Sequence, residues 1–383
     1  MNRSAHESPV SLPELGLAFL KLGTLAFGGP AAHIAMMEAE FVRKRHWITE
    51  EDFLDRLGAA SLIPGPSSTE VAIFIGHSKR GWPGLIVAGT CFIIPAAVMV
   101  SFIAAAYVRY GALPQVAGIL YAIKPVVIAI IAQALWNLGR TALKTWLLAC
   151  VGAASAALSF FGIDPIIVLL CAATISGAIQ LASTNTKQTS ALTLVPISRW
   201  LALGAATALA GPPRLMRLFL SFLKIGALVF GSGYVLLAFL RTEFITRLHW
   251  LSEKQLIDAV AVGQFTPGPV FTTATFIGYL SAGVPGAILA TLGIFLPGFL
   301  LVALSGPLIP KLRRSPLAGA VLDGVIAGSL ALMAVVAWQL GKAAIVDWLT
   351  LLIAAAGLAS LLWLKISPAW LILGAAILGI VKA

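Results

Sequence analysis

Pro64-Gly65-Pro66 is followed at once by Ser67, Ser68 and Thr69, and Pro267-Gly268-Pro269 is followed closely by Thr272 and Thr273. Both runs interrupt apolar sequence in which a helix would otherwise continue, because proline removes a backbone donor and clashes with the preceding turn. A helix that restarts after such a break presents free N–H groups and the positive end of its dipole, a suitable site for an oxyanion. The hydroxyls of the first turn can add hydrogen bonds. The competing reading of each break is a structural kink. Phe27-Gly28-Gly29-Pro30 and Phe230-Gly231-Ser232-Gly233 are similar candidates, with close helix packing through small residues as their alternative. Lys21 and Lys224 stand shortly before these stretches inside apolar sequence, where a cation costs at least ~2.5 kcal/mol. They read as a pair of cations along an anion path, or as side chains snorkelling to headgroups.

The elements that must position these groups come in two copies. Leu20-Lys21-Leu22-Gly23 matches Leu223-Lys224-Ile225-Gly226, and His46-Trp47-Ile48-Thr49-Glu50 matches His249-Trp250-Leu251-Ser252-Glu253. Asp55 matches Asp258 and Phe27-Gly28 matches Phe230-Gly231, all at the offset that separates Pro64 from Pro267. After a slip of one residue, Gly81-Trp82-Pro83-Gly84 matches Gly283-Val284-Pro285-Gly286, and Trp136 to Arg140 matches Trp338 to Lys342. This is an internal duplication. It divides the chain into a first repeat over 1–182, a linker with a short apolar segment over 183–211, and a second repeat over 212–383. Thr49 is placed to cap a helix whose first turn carries Glu50, Glu51 and Asp52. Further spans read as 84–108, 115–138, 144–161 and 165–182.

Composition fixes the medium. Hydrophobic residues make up 59% of the 383 and charged residues 11%, against about 25% charge in a soluble domain. Several runs are long enough to cross a hydrocarbon core of roughly 30 Å, and they lack the alternation a β-barrel requires. The net charge of +11 is mainly what the positive-inside rule asks of cytoplasmic loops contacting anionic lipid. Nucleic-acid binding is excluded, since no soluble domain is large enough to carry a basic face. Cys91, Cys150 and Cys171 stand apart, with neither metal-ligand spacing nor a disulfide framework. No metal or cofactor is expected, and the polar start has no cleavable signal pattern.

Loop charges set the relation of the halves. Lys79 and Arg80 face an uncharged counterpart at 281–285, whereas 109–114 carries only Arg109 against Lys311, Arg313 and Arg314 in 310–316. Opposite bias places equivalent loops on opposite sides of the membrane. The expectation is therefore an all-α polytopic membrane protein of two inverted-topology repeats with Pro/Gly-broken helices and roughly ten to twelve membrane segments. Where a transporter couples to protons, a titratable group must lie in the path. Asp323, Glu70 and His33 are the candidates, each breaking repeat symmetry, as does Lys124. Asp323 and Lys124 read alternatively as solvated residues at span ends.

On Phe27-Gly28-Gly29-Pro30, Pro64-Gly65-Pro66 with Gly81-Trp82-Pro83-Gly84, and their second copies, the sequence resembles the chromate ion transporter family in its long two-domain form. The resemblance covers nearly the whole chain, and departs from repeat symmetry at Gly29/Ser232 and Pro30/Gly233. It implies export of chromate across the cell inner membrane, driven by the proton motive force and giving chromate resistance, with sulfate as a related oxyanion. The expected partners are a small inorganic oxyanion and membrane lipid, with a homodimer as a possible assembly. An intramembrane enzyme is the alternative from another class; it would need a nucleophile with its base or a metal motif such as His-Glu-x-x-His.

Overall fold

The computed structural model describes residues 10–111, 113–183, 214–230, 233, 235–305, 309 and 315–382. The linker after Ser183, the short apolar segment at 200–211, Gly231, Ser232 and the basic loop at 311–314 lie outside the described residues. The first repeat contains α1 (Leu12–Leu25), α2 (Gly29–Glu38), α3 (Glu50–Ala60), α4 (Ser67–Tyr110), α5 (Pro114–Ala142), α6 (Trp146–Phe160) and α7 (Pro165–Ser183). The second contains α8 (Arg214–Leu228), α9 (Leu236–Leu240), α10 (Glu253–Phe265), α11 (Thr273–Ser305), α12 (Pro316–Ala344), α13 (Trp348–Leu362) and α14 (Pro368–Lys382).

Equivalent local devices build the two sets. Each repeat has a π-helical turn, over Ala39–Lys44 and Arg241–Arg247. In the first, the five-residue spacing brings Arg43 to Glu38 and Arg45 to Glu40, at 2.5 and 2.7 Å. His46 and His249 follow in the left-handed region. Thr49 caps α3 by accepting from Asp52 N–H at 3.1 Å, as its position predicts, and Ser252 caps α10 with Gln255 closing a capping box.

α4 and α11 are helical hairpins rather than straight rods. Gly81 and Gly283 take φ of 58° and 63°, values that cost little only for glycine. The chain reverses there, so a Cβ on Gly76 would meet the Gly84 carbonyl at 2.3 Å, and one on Gly278 would meet the Gly286 carbonyl at 2.3 Å. Thr275 and Thr291 hydroxyls likewise meet at 2.7 Å across the second hairpin. The short arm from Ser67 to Lys79 is about 20 Å long, less than a membrane crossing. The long arm supplies the crossing.

The inversion is legible in side-chain pairs. Leu85, near the start of the first long arm, clusters with Val302, near the end of the second. Tyr107, near the end of the first, packs edge-on at 5.3 Å against Phe276, on the short arm that the second hairpin folds back beside the start of its long arm. Arms running in the same direction would bring neither pair together. The two long arms are antiparallel, and the hairpin tips at Arg80 and Ala282 point to opposite ends of the molecule. The repeats also exchange their final helices: α6 and α7 pack on α12, and α13 and α14 pack on α5.

Among the described residues, five helical segments are long and apolar enough to cross a membrane, the hairpins containing two of them; α6, α13 and α14 are shorter apolar helices. Phe102, Trp136, Leu304 and Trp338 are exposed on the outer surface, as residues facing lipid would be. The chain is a multi-pass, all-α membrane protein of two repeats.

Candidate functional site

The Pro-Gly-Pro break of each repeat docks on the Gly-rich break of the other. Gly65 N–H donates to the Val229 carbonyl at 2.8 Å, and Gly268 N–H donates to the Ala26 carbonyl at 2.9 Å. Val229 and Ala26 are themselves repeat equivalents, so the exchange is reciprocal about the pseudo-twofold axis. Both glycines have positive φ, 136° and 90°. A Cβ on Gly268 would stand 2.7 Å from that of Ala96. The four broken segments thus form two crossed pairs, each containing one break from either repeat. Gly28 (φ 104°) is the N-cap of α2 and Gly29 (φ 78°) its first residue; their counterparts Gly231 and Ser232 are outside the described residues.

The first repeat adds titratable groups to this backbone frame. His33 is buried; its Nε2 lies 3.0 Å from the Ala26 carbonyl and its Nδ1 lies 3.3 Å from Ser68 Oγ. A carbonyl only accepts, so Nε2 carries the proton, and in the neutral ring Nδ1 accepts from the Ser68 hydroxyl. Ala26 therefore receives both His33 and Gly268. Glu70, in the first turn of α4, is fully buried, and neither carboxylate oxygen has a hydrogen-bond partner. Its side chain curls back over the break, where a Cβ on Gly65 would lie 2.2 Å from Oε1, and reaches across to Gly298 of the second hairpin. The Thr69 hydroxyl is also buried and unpartnered, and Ser67 is half-buried. A carboxylate therefore sits beside a helix N-terminus, whose positive dipole end favours negative charge.

The second repeat is built differently here. The Thr272 and Thr273 hydroxyls both donate to carbonyls of their own turn, Pro269 and Val270, at 2.8 Å. They are not the free donors that their position after Pro267-Gly268-Pro269 suggests. A 3₁₀ turn over Val270–Thr272 precedes α11, within the stretch where the repeat slips by one residue.

The two lysines do not form an equivalent pair. Lys224 is 2.7 Å from Glu243, which also accepts from Ser221 at 3.0 Å. Lys21 is exposed and makes no ion pair among the described residues. Burial acts to raise Glu243, but Lys224, Ser221 and Arg247 outweigh it and hold the carboxyl below its ordinary range. The shared solvated reading of Asp323 and Lys124 also divides. Asp323 pairs with Lys144 at 3.1 Å in an exposed ion pair, whereas Lys124 is buried and pairs with Asp258 at 3.3 Å. Asp258 was visible in sequence only as the repeat partner of Asp55. The available signal was an acid in the apolar run Ile257-Asp258-Ala259-Val260.

The chromate transporter family matches residues 13–177 and again residues 216–380. A chromate transport protein of Cupriavidus metallidurans is 34% identical over 381 residues, covering 99% of this chain and 95% of its own. A probable chromate transport protein of Synechococcus elongatus is 32% identical, covering 97% and 95%. The uncharacterized transporter YwrA of Bacillus subtilis is 27% identical over 162 residues, which is 91% of that protein but 41% of this chain. A relative the size of one repeat is what a duplication predicts. No solved structure matches the chain. Two family matches, one on each repeat, and relatives aligned end to end establish that the chain belongs to the chromate transporter family.

Proposed function

We propose that the chain is a secondary transporter of an inorganic oxyanion, chromate first, that exports it across the cell inner membrane and so confers chromate resistance. The observation that carries this reading is the crossed docking of the broken helices through Gly65 and Gly268. Irregular backbone at membrane depth persists where it lines a cavity or a substrate path, and the positive dipole end of the helix that restarts after the break suits a tetrahedral dianion. The names of the relatives, a chromate transport protein and a probable chromate transport protein, support the choice of anion. In this reading Pro64, Gly65, Pro66, Ser67 and Thr69 face the substrate on one side, with Pro267, Gly268 and Pro269 on the other. Gly28 and Gly29 complete the frame, while Lys21 guides the anion toward it. The repeats, 1–182 and 212–383, move against each other about the site.

The proton motive force supplies the drive. Its inside-negative potential pushes negative charge outward at about 2.3 kcal/mol per elementary charge per 100 mV, and a dianion feels twice that. Glu70 is the proton-linked group, because an ionised carboxylate over the break repels the oxyanion and takes its place at the helix N-terminus, and a protonated one does not. His33 relays the state of the break to Ser68. Asp323, in its exposed pair with Lys144, is the weakest of the three candidates. Sulfate shares the size and charge of chromate and is the alternative cargo.

Flux of labelled chromate and sulfate into everted membrane vesicles tests the reading, with and without an imposed proton gradient. The expected result is gradient-dependent accumulation of chromate above that of sulfate. Equal flux in vesicles with and without the protein would sink it.

A further inference from the structure

Tyr107, Lys124 and Asp258 come from α4, α5 and α10, and so from both repeats. Lys124 Nζ is 3.3 Å from Asp258 Oδ1, and the Tyr107 hydroxyl donates to Oδ2 at 2.8 Å. Asp258 is fully buried and Lys124 nearly so. Tyr107 is also part of the wall of an open cavity of about 340 Å³, together with Val108, Trp250, Gln255 and Leu280. The cavity lies at the end of the molecule where the second hairpin turns. One hydrogen-bonded carboxylate therefore links the cavity wall to a lysine inside the protein. Lys254, one turn earlier on α10, adds positive charge to the same place.

A buried ion pair returns little net stability against its desolvation cost, and ionisable groups at membrane depth mark substrate or ion pathways. The repeat strengthens the point. Asp55, the equivalent of Asp258, is exposed, and Lys124 corresponds to Ile326. The fold builds its first repeat without burying such a pair at the equivalent position, so folding alone does not account for it.

We propose that Lys124 is a second oxyanion-binding cation, behind Tyr107 as seen from the cavity, and that Asp258 is its resident counter-anion. An arriving divalent oxyanion displaces the carboxylate and takes the ammonium. Asp258 is then a positioning and competing residue rather than a ligand. The inference rests on the oxyanion-transport reading above.

Chromate flux into proteoliposomes of the purified protein, measured against chromate concentration, tests it. Lys124→Gln raises the KM for chromate about tenfold, the scale of one charge-assisted bond, with a smaller change in kcat; Lys124→Arg restores it. Asp258→Asn moves KM the opposite way, downward, because the lysine loses its internal competitor. A merely structural pair would damage both variants in the same direction. The double variant K124Q/D258N leaves no lone charge in the interior and keeps the test open where Asp258→Asn fails to fold; its KM follows that of Lys124→Gln. An unchanged KM in Lys124→Gln, a raised KM in folded Asp258→Asn, or a wild-type KM in the double variant overturns the inference and leaves the transport reading standing. Absence of chromate flux from the wild-type protein overturns the transport reading itself.

Discussion

The first repeat gathers unpaired and titratable side chains at its break, and the second ties its own into bonds. Glu70 and the Thr69 hydroxyl are buried without partners, whereas Thr272 and Thr273 spend their hydroxyls on their own backbone. Lys21 is exposed, and its equivalent Lys224 is held by Glu243. Asp55 is exposed, and its equivalent Asp258 is buried against Lys124. The backbone tells the opposite story: the reciprocal bonds of Gly65 and Gly268, the left-handed turns at Gly81 and Gly283, and the π-helical turns are all kept twice. Duplication preserves main-chain geometry because one altered break would misplace both repeats. Side chains are free to diverge, so the two breaks share a frame without sharing a chemistry.

The largest expected effect concerns the inversion itself. Single cysteines at Arg80 and Ala282, in a cysteine-free background, should react with a membrane-impermeant thiol reagent from opposite sides. Labelling of both from the same side would break the pseudo-symmetry on which the comparison stands. Next comes the shared skeleton. Gly278→Val and Gly76→Val each drive a side chain into a backbone carbonyl 2.3 Å away, and each should cost about 3 kcal/mol. Thermal melting of the purified variants reads this, and the comparison predicts equal damage in either repeat. Strong damage in one alone would show that only one hairpin needs its close approach.

The side chains should then divide the repeats. Glu70→Gln is expected to abolish the response of chromate flux to the proton gradient, while Thr273→Val leaves that response in place. A gradient response retained in folded Glu70→Gln would remove the proton role from the first repeat. The smallest effects fall on the lysines. Lys224→Ala strands part of the Glu243 network and should lower stability by about 1 kcal/mol. Lys21→Ala, at an exposed site, should shift it by less than about 0.5 kcal/mol and act on flux alone. Melting temperatures and flux for both variants distinguish a structural lysine from one lining the path.

Much of this was legible along the chain. Apolar runs gave the membrane class, and the offset between Pro64 and Pro267 gave the duplication. Loop charges gave the inversion, which the pairs Leu85 with Val302 and Tyr107 with Phe276 bear out. Thr49 announced its helix. These are local signals, or repetitions of them, and each depends on the chemistry of a few neighbouring residues. What could not be read was which charges meet. Tyr107 and Asp258 are 151 residues apart, and the spacing of neither residue predicts the other. Lys21 and Lys224 have the same sequence neighbourhood and different fates, because only the second has Glu243 within reach. That helices break at equivalent places in a membrane is written in the order of residues. That each break docks on the other repeat, and which side chains remain unpaired beside it, follows only from the fold, because burial and pairing arise from packing between segments that are remote in the chain.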